Sequence, residues 1–286
     1  MQYLQDYIGF LRVGKGLSQS TISVYENNLK EFREFLGRSK FSIRNVKRES
    51  VKSFLFSLAE KNKPITRRLK QTSLRNYFGY LEGEDIIASN PTKNLPMPRV
   101  ETKEPKYLTE REIKKLLQTV KRDKSRFGKR NEIIIRIICE TGIRLSELTG
   151  LNMEDIDLKD KTINVRRKGN SEQTLPINSG LNSRLKEFVK GKQLGNPLLI
   201  SSYGKRITNR RVAMMFQKYL TQAELVKPGI SIHSLRHSFC VRLLEKGVNL
   251  KVIQVLAGHK NISMTERYLH IAKSQLRKEV RKIELD

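Results

Sequence analysis

Four of the eight prolines, Pro91, Pro96, Pro98 and Pro105, fall within one stretch, residues 90–106 (NPTKNLPMPRVETKEPK), that shows no apolar periodicity. Proline fixes its backbone φ and brings no amide hydrogen, so neither a helix nor a central strand can run through such a segment. The chain is thereby divided into residues 1–89 and 107–286, with 90–106 as the linker. The 286 residues suffice for two domains, each with its own core.

The first part reads as about four helices. In SQSTISVYENNLKEFREFLGR, Ile22, Tyr25, Leu29, Phe32 and Phe35 recur at three- and four-residue steps, the stripe of an amphipathic helix closed by Gly37. A second stripe over 46–62 carries Val51, Phe54, Leu55 and Leu58. The third begins at Pro64, a residue favoured in a first turn, and presents Ile65, Leu69, Tyr77, Phe78 and Leu81. The opening residues, MQYLQDYIGFLRVGKG, alternate at helical spacing and lack the continuous apolar run of a signal peptide, so a cytoplasmic protein is expected. No apolar run is long enough to span a membrane.

The second part opens on a capping box, Thr109 with Glu112. It is mostly helical, with one β-element: KTINVRRK alternates over 161–168, Gly169-Asn170 supplies turn residues, and QTLPI returns over 173–177. Val212, Met215, Phe216, Tyr219 and Leu220 make a further helical stripe, with Arg210 and Arg211 at its start. The fold expected is mainly α with a small antiparallel β-sheet.

Charge then narrows the partner. There are 57 Lys+Arg against 29 Asp+Glu, a formal net charge of +28. Residues 1–98 carry 17 basic and 9 acidic side chains, and residues 99–286 carry 40 and 20. Two basic domains suit an enclosing grip on nucleic acid better than a loose basic tail would. Cys139 and Cys240 lie in apolar helical surroundings, as reduced, buried thiols do.

All four histidines, His233, His237, His259 and His270, fall in the last 54 residues. His233, His237 and Cys240 share a helix face at i, i+4 and i+7, a spacing that can bind zinc, but Arg236 lies between them and no further ligand-rich segment is near. No metal site is expected. NLKVIQVLAGHKNISMTERYLHI also reads as a helix-turn-helix, its second helix starting at a capping box of Ser263 with Glu266. That reading would make the chain a non-enzymatic DNA-binding regulator, and it leaves the upstream arginines and lysine unexplained.

TGIRLSEL around Arg144, HSLRHSF with His233 and Arg236, and AGHKNISMTERYLHI with His259 and Tyr268 resemble the signature boxes of the tyrosine recombinase (integrase) superfamily. RRKGNSEQTLPI is similar to that family's hairpin bearing a catalytic lysine, here Lys168. The boxes follow one another at intervals of 24, 65, 3, 23 and 9 residues, close to those of Xer-type members. The resemblance covers nearly the whole chain. It implies a helical, SAM-like core-binding domain over 1–89 and a mixed α/β catalytic domain over 107–286, with a docking helix over 274–286. The implied partner is double-stranded DNA, held on two sites by a homo-tetramer or by a hetero-tetramer with a sister recombinase. No membrane or small-molecule substrate is implied. Chromosome dimer resolution and mobile-element integration or excision stay open as tasks, and type IB topoisomerases share the chemistry. Three features depart from the family or its relatives. Ala257-Gly258-His259 stands where LGH is frequent, and Ser171 and Gln173 stand where basic residues are common. No additional small domain is expected before residue 1, against arm-site binding.

The implied roles answer to the chemistry. A phenol has a pKa near 10, so Tyr268 as nucleophile needs a proton acceptor and a positive field. Arg144 and Arg236 would present planar forks to the non-bridging phosphate oxygens, and His259 a third donor. Lys168 would protonate the leaving 5′-oxygen, and His233 would assist proton transfer. Glu147 is read as an orienter, and His237 and His270 as structural. A phosphotyrosyl link conserves the bond energy, so no ATP, metal or other cofactor is expected.

Overall fold

The computed structural model describes residues 2–37, 43–101, 104–167, 171–259 and 261–269. Lys168, the Gly169-Asn170 turn, His270 and the helix expected over 274–286 lie outside the described residues. The chain forms two compact units, Met1–Thr102 and Lys103–Asp286.

The first unit is helical: α1 (Gln2–Arg12), α2 (Gln19–Phe35), α3 (Arg48–Lys61) and α4 (Pro64–Gly83). Ser18 caps α2 by accepting the Thr21 amide at 3.4 Å, and Pro64 occupies the first turn of α4, where its missing amide hydrogen costs nothing. The stripes meet in one core of Tyr7, Leu11, Ile22, Leu29, Phe32, Val51, Phe54, Leu58, Leu74, Phe78 and Leu81. Ile65 and Leu69, read as part of the α4 stripe, are exposed, because the buried face of α4 begins only at Lys70. An extended proline-bearing segment makes no ladder of its own, so its carbonyls need outside donors. Arg75 accordingly donates to the Leu95 carbonyl at 2.7 Å and Gln71 to that of Pro96 at 3.0 Å, and Leu95 enters the core.

In the second unit the Thr109–Glu112 box forms and starts α5 (Glu110–Lys121). Next comes α6 (Gly128–Thr141), the centre of the unit, with Ile133, Ile134, Ile135, Ile137 and Ile138 all buried. Apart from a half-buried, ion-paired stripe of Glu132, Arg136 and Glu140, α6 is enclosed, packing against α5, α8 (Ser179–Val189) and α10 (Ile232–Glu245). Between them lie α7 (Leu145–Gly150) and an antiparallel sheet in the order β1 (Ile156–Asp157), β2 (Thr162–Arg166), β3 (Glu172–Pro176). The β2–β3 register pairs Ile163 with Leu175 and Val165 with Gln173. Beyond α9 (Asn209–Gln222) and α10, a smaller core gathers Phe239, Cys240, Val241, Leu244, Ile253, Ala257 and Tyr268 around α11 (Leu250–Ala257).

The capping box read at Ser263 does not form. The residue before α12 (Ser263–Glu266) is Ile262, already in a helical conformation, so the serine never takes the extended backbone of a cap. A four-residue helix also offers no recognition surface of the kind a helix-turn-helix regulator needs. Among the described residues no helix is long and apolar enough to cross a membrane. Cys139 and Cys240 are both buried and unpaired, with burial raising their thiols to about 12 and about 11.

Candidate active site

The site is assembled where the end of α6, the start of α7, the middle of α10 and the end of α11 meet. Helix α6 stops at Gly142, whose φ of 66° is left-handed and therefore suited to glycine. A Cβ there would lie 2.3 Å from the Phe239 ring, so the turn admits no side chain. Two residues on, Arg144 precedes α7. Glu147 accepts its backbone amide at 2.9 Å and its guanidinium at 2.7 Å, with the carboxylate side chain only 6% exposed. Glu147 therefore holds the direction of Arg144, and the guanidinium reaches the Gly258 carbonyl at 2.5 Å.

Arg236 enters from α10 and is 6% exposed. It donates to the carbonyls of Gly142 and Ala257. Burial first, and then the Arg144 charge, brings its pKa down to about 10, so it remains a cation at neutral pH. A helix ends in carbonyls without intrahelical partners and carries partial negative charge there. At the end of α11 side chains take these carbonyls in order: Gln173 donates to Val255 at 2.9 Å, Arg167 to Leu256 at 3.4 Å and to Ala257 at 3.2 Å, and Arg144 to Gly258. Gly258 has φ 60°, and the position its Cβ would take is filled by the Arg167 guanidinium, 0.8 Å from Nη1.

His259 follows at once. It is 8% exposed, and its Nδ1 lies 2.8 Å from the Thr265 hydroxyl. Burial, then Arg236 and Arg144, push its pKa down to about 4, so the ring is neutral at pH 7. Its ring stacks on that of Tyr268, centroids 6.4 Å apart and planes 18° apart. Tyr268 is 3% exposed. Its hydroxyl lies 2.7 Å from His237 Nδ1 and also meets the Cys240 side chain. Burial, with Cys240 second, raises this phenol well above its ordinary value. His237 is lowered to about 4, by burial and then by Arg236. His233, one turn earlier on α10, is exposed, and partial desolvation with the Arg236 charge also lowers it.

Of the residues singled out by sequence, Arg144, Arg236, His259 and Tyr268 are thus brought together, His233 lies on the solvent side of α10, and Lys168 lies outside the described residues. The structure adds three. His237, read as structural, addresses the Tyr268 hydroxyl; its place one turn after His233 on the box helix was the available signal. Arg167 and Gln173 dock the β2–β3 hairpin on α11; in sequence Arg167 was marked only by its position beside Lys168, and Gln173 only as standing where basic residues are common. His237 and Cys240, weighed above as metal ligands, both face Tyr268, and among the described residues no three His, Cys, Asp or Glu side chains gather as a metal site.

Residues 106–275 match the phage integrase family, and residues 4–85 match its N-terminal SAM-like domain. The chain belongs to the phage integrase family, the tyrosine recombinases, and is an enzyme of site-specific DNA recombination. It is 32% identical to tyrosine recombinase XerC of Thermodesulfovibrio yellowstonii over 280 residues, covering 94% of this chain and 91% of that protein. To tyrosine recombinase XerD of Staphylococcus saprophyticus it is 30% identical over 286 residues, 96% of each. A solved XerH site-specific recombinase, in a post-cleavage complex with a palindromic difH substrate, shares the fold at a TM-score of 0.77 and 23% identity, covering 97% of this chain and 83% of that one. A lambda integrase dimer on a COC′ core site does so at a TM-score of 0.75 and 20% identity, covering 100% and 97%.

Proposed function

We propose that this chain cleaves and rejoins double-stranded DNA by transient attachment of a DNA 3′-phosphate to Tyr268. The observation that carries the assignment is the placement of Arg144 and Arg236 on the adjacent carbonyls of Gly258 and Ala257, next to a His259 ring stacked on Tyr268. Two guanidinium forks and a ring N–H at one point suit a phosphodiester. His259 Nδ1 is engaged by the Thr265 hydroxyl, and in the tautomer in which that hydroxyl donates, the ring proton is on Nε2 and can be given to a non-bridging oxygen.

In the forward step the Tyr268 oxygen forms a bond to phosphorus and the bond to the 5′-oxygen breaks. The phenol proton leaves to a neighbouring base, with His233 assisting, and Lys168 delivers a proton to the departing 5′-oxygen. Attack by the 5′-hydroxyl of another strand reverses the step and yields a Holliday junction. The guanidinium groups supply the positive charge this displacement requires, and conservation of the bond energy in the phosphotyrosyl link removes the need for ATP. At rest the phenol is buried and its pKa raised, so it must come out to the phosphate before it can react.

The same reading extends to the assembly and the task. Two DNA sites are held by four subunits, either one chain or this chain with a sister recombinase, and the helix over 274–286 docks between them. Resolution of chromosome dimers and integration or excision of a mobile element both fit this chemistry. The site of action is the cytoplasm, where buried thiols stay reduced. The test is to incubate the protein with nicked duplexes of randomised sequence and to look for a denaturation-resistant adduct. Wild type is expected to form one and Tyr268→Phe none; an adduct that survives Tyr268→Phe refutes the assignment.

A further inference from the structure

We infer that Arg167 is a third guanidinium of the phosphate site, acting beside Arg144 and Arg236 on the scissile phosphate. The inference rests on the proposed function, and its test separates the two.

The placement of Arg167 matches that of the other two. It shares the Ala257 carbonyl with Arg236, while Arg144 takes the next carbonyl along the chain, so three guanidinium groups stand on consecutive carbonyls of one helix end. The field of Arg144 acts on Arg167, and that of Arg167 reaches His259. Glu147 is the carboxylate whose charge acts on both Arg167 and Arg236. Among the described residues of the site, three cations against one anion leave a net charge of two, with His259 and His237 neutral.

Such an arrangement is a poor way to stabilise a fold. Like charges repel, and the Arg167 Nε is buried with no hydrogen-bond partner, a donor that costs on the order of 1–3 kcal/mol to strand. A small apolar residue would avoid both penalties, giving up only the donor to the Leu256 carbonyl, since Ala257 keeps that of Arg236. Gly258 keeps clear the volume the guanidinium fills. What the extra cation suits is an arriving anion. A phosphodiester carries one negative charge, and attack by a phenolate builds a second on the phosphorane-like transition state. Arg144 and Arg236 offset by Glu147 balance the ground state, and Arg167, beside the proton that Lys168 gives the leaving oxygen, adds charge against the second negative charge of the transition state.

The experiment compares strand cleavage on two nicked duplexes, one natural and one with a methylphosphonate at the scissile position, which removes a charged non-bridging oxygen. Loss of one such donor typically slows a reaction about 100-fold or more, and at a shared site about 10- to 100-fold is expected for Arg167→Ala on the natural duplex. On the methylphosphonate the variant is expected within about threefold of wild type, which also shows that the site is folded. Arg167→Lys keeps the charge and is expected to recover most of the loss. A defect equally large on both substrates overturns the inference and makes Arg167 a structural anchor of the hairpin. Absence of any defect, or faster cleavage, overturns it as well. Arg144→Ala is the control. If neither variant recovers on the methylphosphonate, the phosphate reading of the whole cluster fails, and if only Arg144→Ala recovers, Arg167 alone is excluded.

Discussion

Lowering the pH from 7.5 to 4 is expected to weaken the catalytic unit through His259. Free imidazole titrates at 6.5, whereas burial and the neighbouring arginines hold His259 at about 4. Between these values the unfolded chain has taken up a proton that the folded chain refuses, so stability falls as pH falls. The contribution is intact above 6.5, declines through the interval and saturates below about 4. At about 1.36 kcal/mol per pH unit the gap corresponds to about 3 kcal/mol, against a total of roughly 5–15 kcal/mol for a typical domain. His237 has the same sign and value but is partly exposed, so its share is smaller. Urea unfolding followed by amide exchange in α10 and α11 at pH 7.5 and 4 measures the loss. His259→Gln removes the titration while carboxylates titrate alike in both proteins, so wild type should lose about 3 kcal/mol more than the variant. With only four histidines, the imidazole resonances can also be followed singly. Equal losses in the two proteins, or a His259 resonance titrating near 6.5, would refute the argument from burial and charge.

Gly142→Ala places a methyl group against the Phe239 ring at a left-handed residue. The conformation alone costs about 1–2 kcal/mol, and the displaced Gly142 carbonyl releases Arg236, so both melting temperature and adduct yield should drop. Adding Phe239→Leu should recover part of the stability; no recovery would show that the ring contact is not the cause. Deletion of residues 274–286 should leave the monomer folded and DNA-binding yet abolish tetramer assembly and strand exchange, as read by sedimentation on DNA; undiminished assembly would rule out the docking helix.

Much of this molecule is legible along the chain because its determinants are local. A stripe at three- and four-residue steps must be buried on one side, so α2, α3 and most of α4 follow from Ile22, Phe32, Val51, Phe54, Phe78 and Leu81. Pro64 and the Thr109–Glu112 box mark helix starts by backbone hydrogen bonding within four residues. Alternation over 161–168 and 173–177 announces a hairpin whose strands are Thr162–Arg166 and Glu172–Pro176. The same reasoning overreached at Ser263, where the pattern of a box was present but the preceding backbone was already helical. It overreached too at Ile65 and Leu69, which continue a stripe beyond the reach of the core.

The site divides the same way. The residue types needed to hold a phosphate and attack it could be recognised in order from the boxes around Arg144, Arg236, His259 and Tyr268. Which atoms they address could not, because their partners are remote: Arg144 meets Gly258 across 114 residues, Arg167 meets Ala257 across 90, and His237 meets Tyr268 across 31. Periodicity and capping act over a turn of helix, and so the sequence by itself determined the elements and the chemical inventory. Only tertiary packing, by bringing the carbonyl end of α11 against α7, α10 and the hairpin, decided that three guanidinium groups share one helix end and that the tyrosine rests buried on His237.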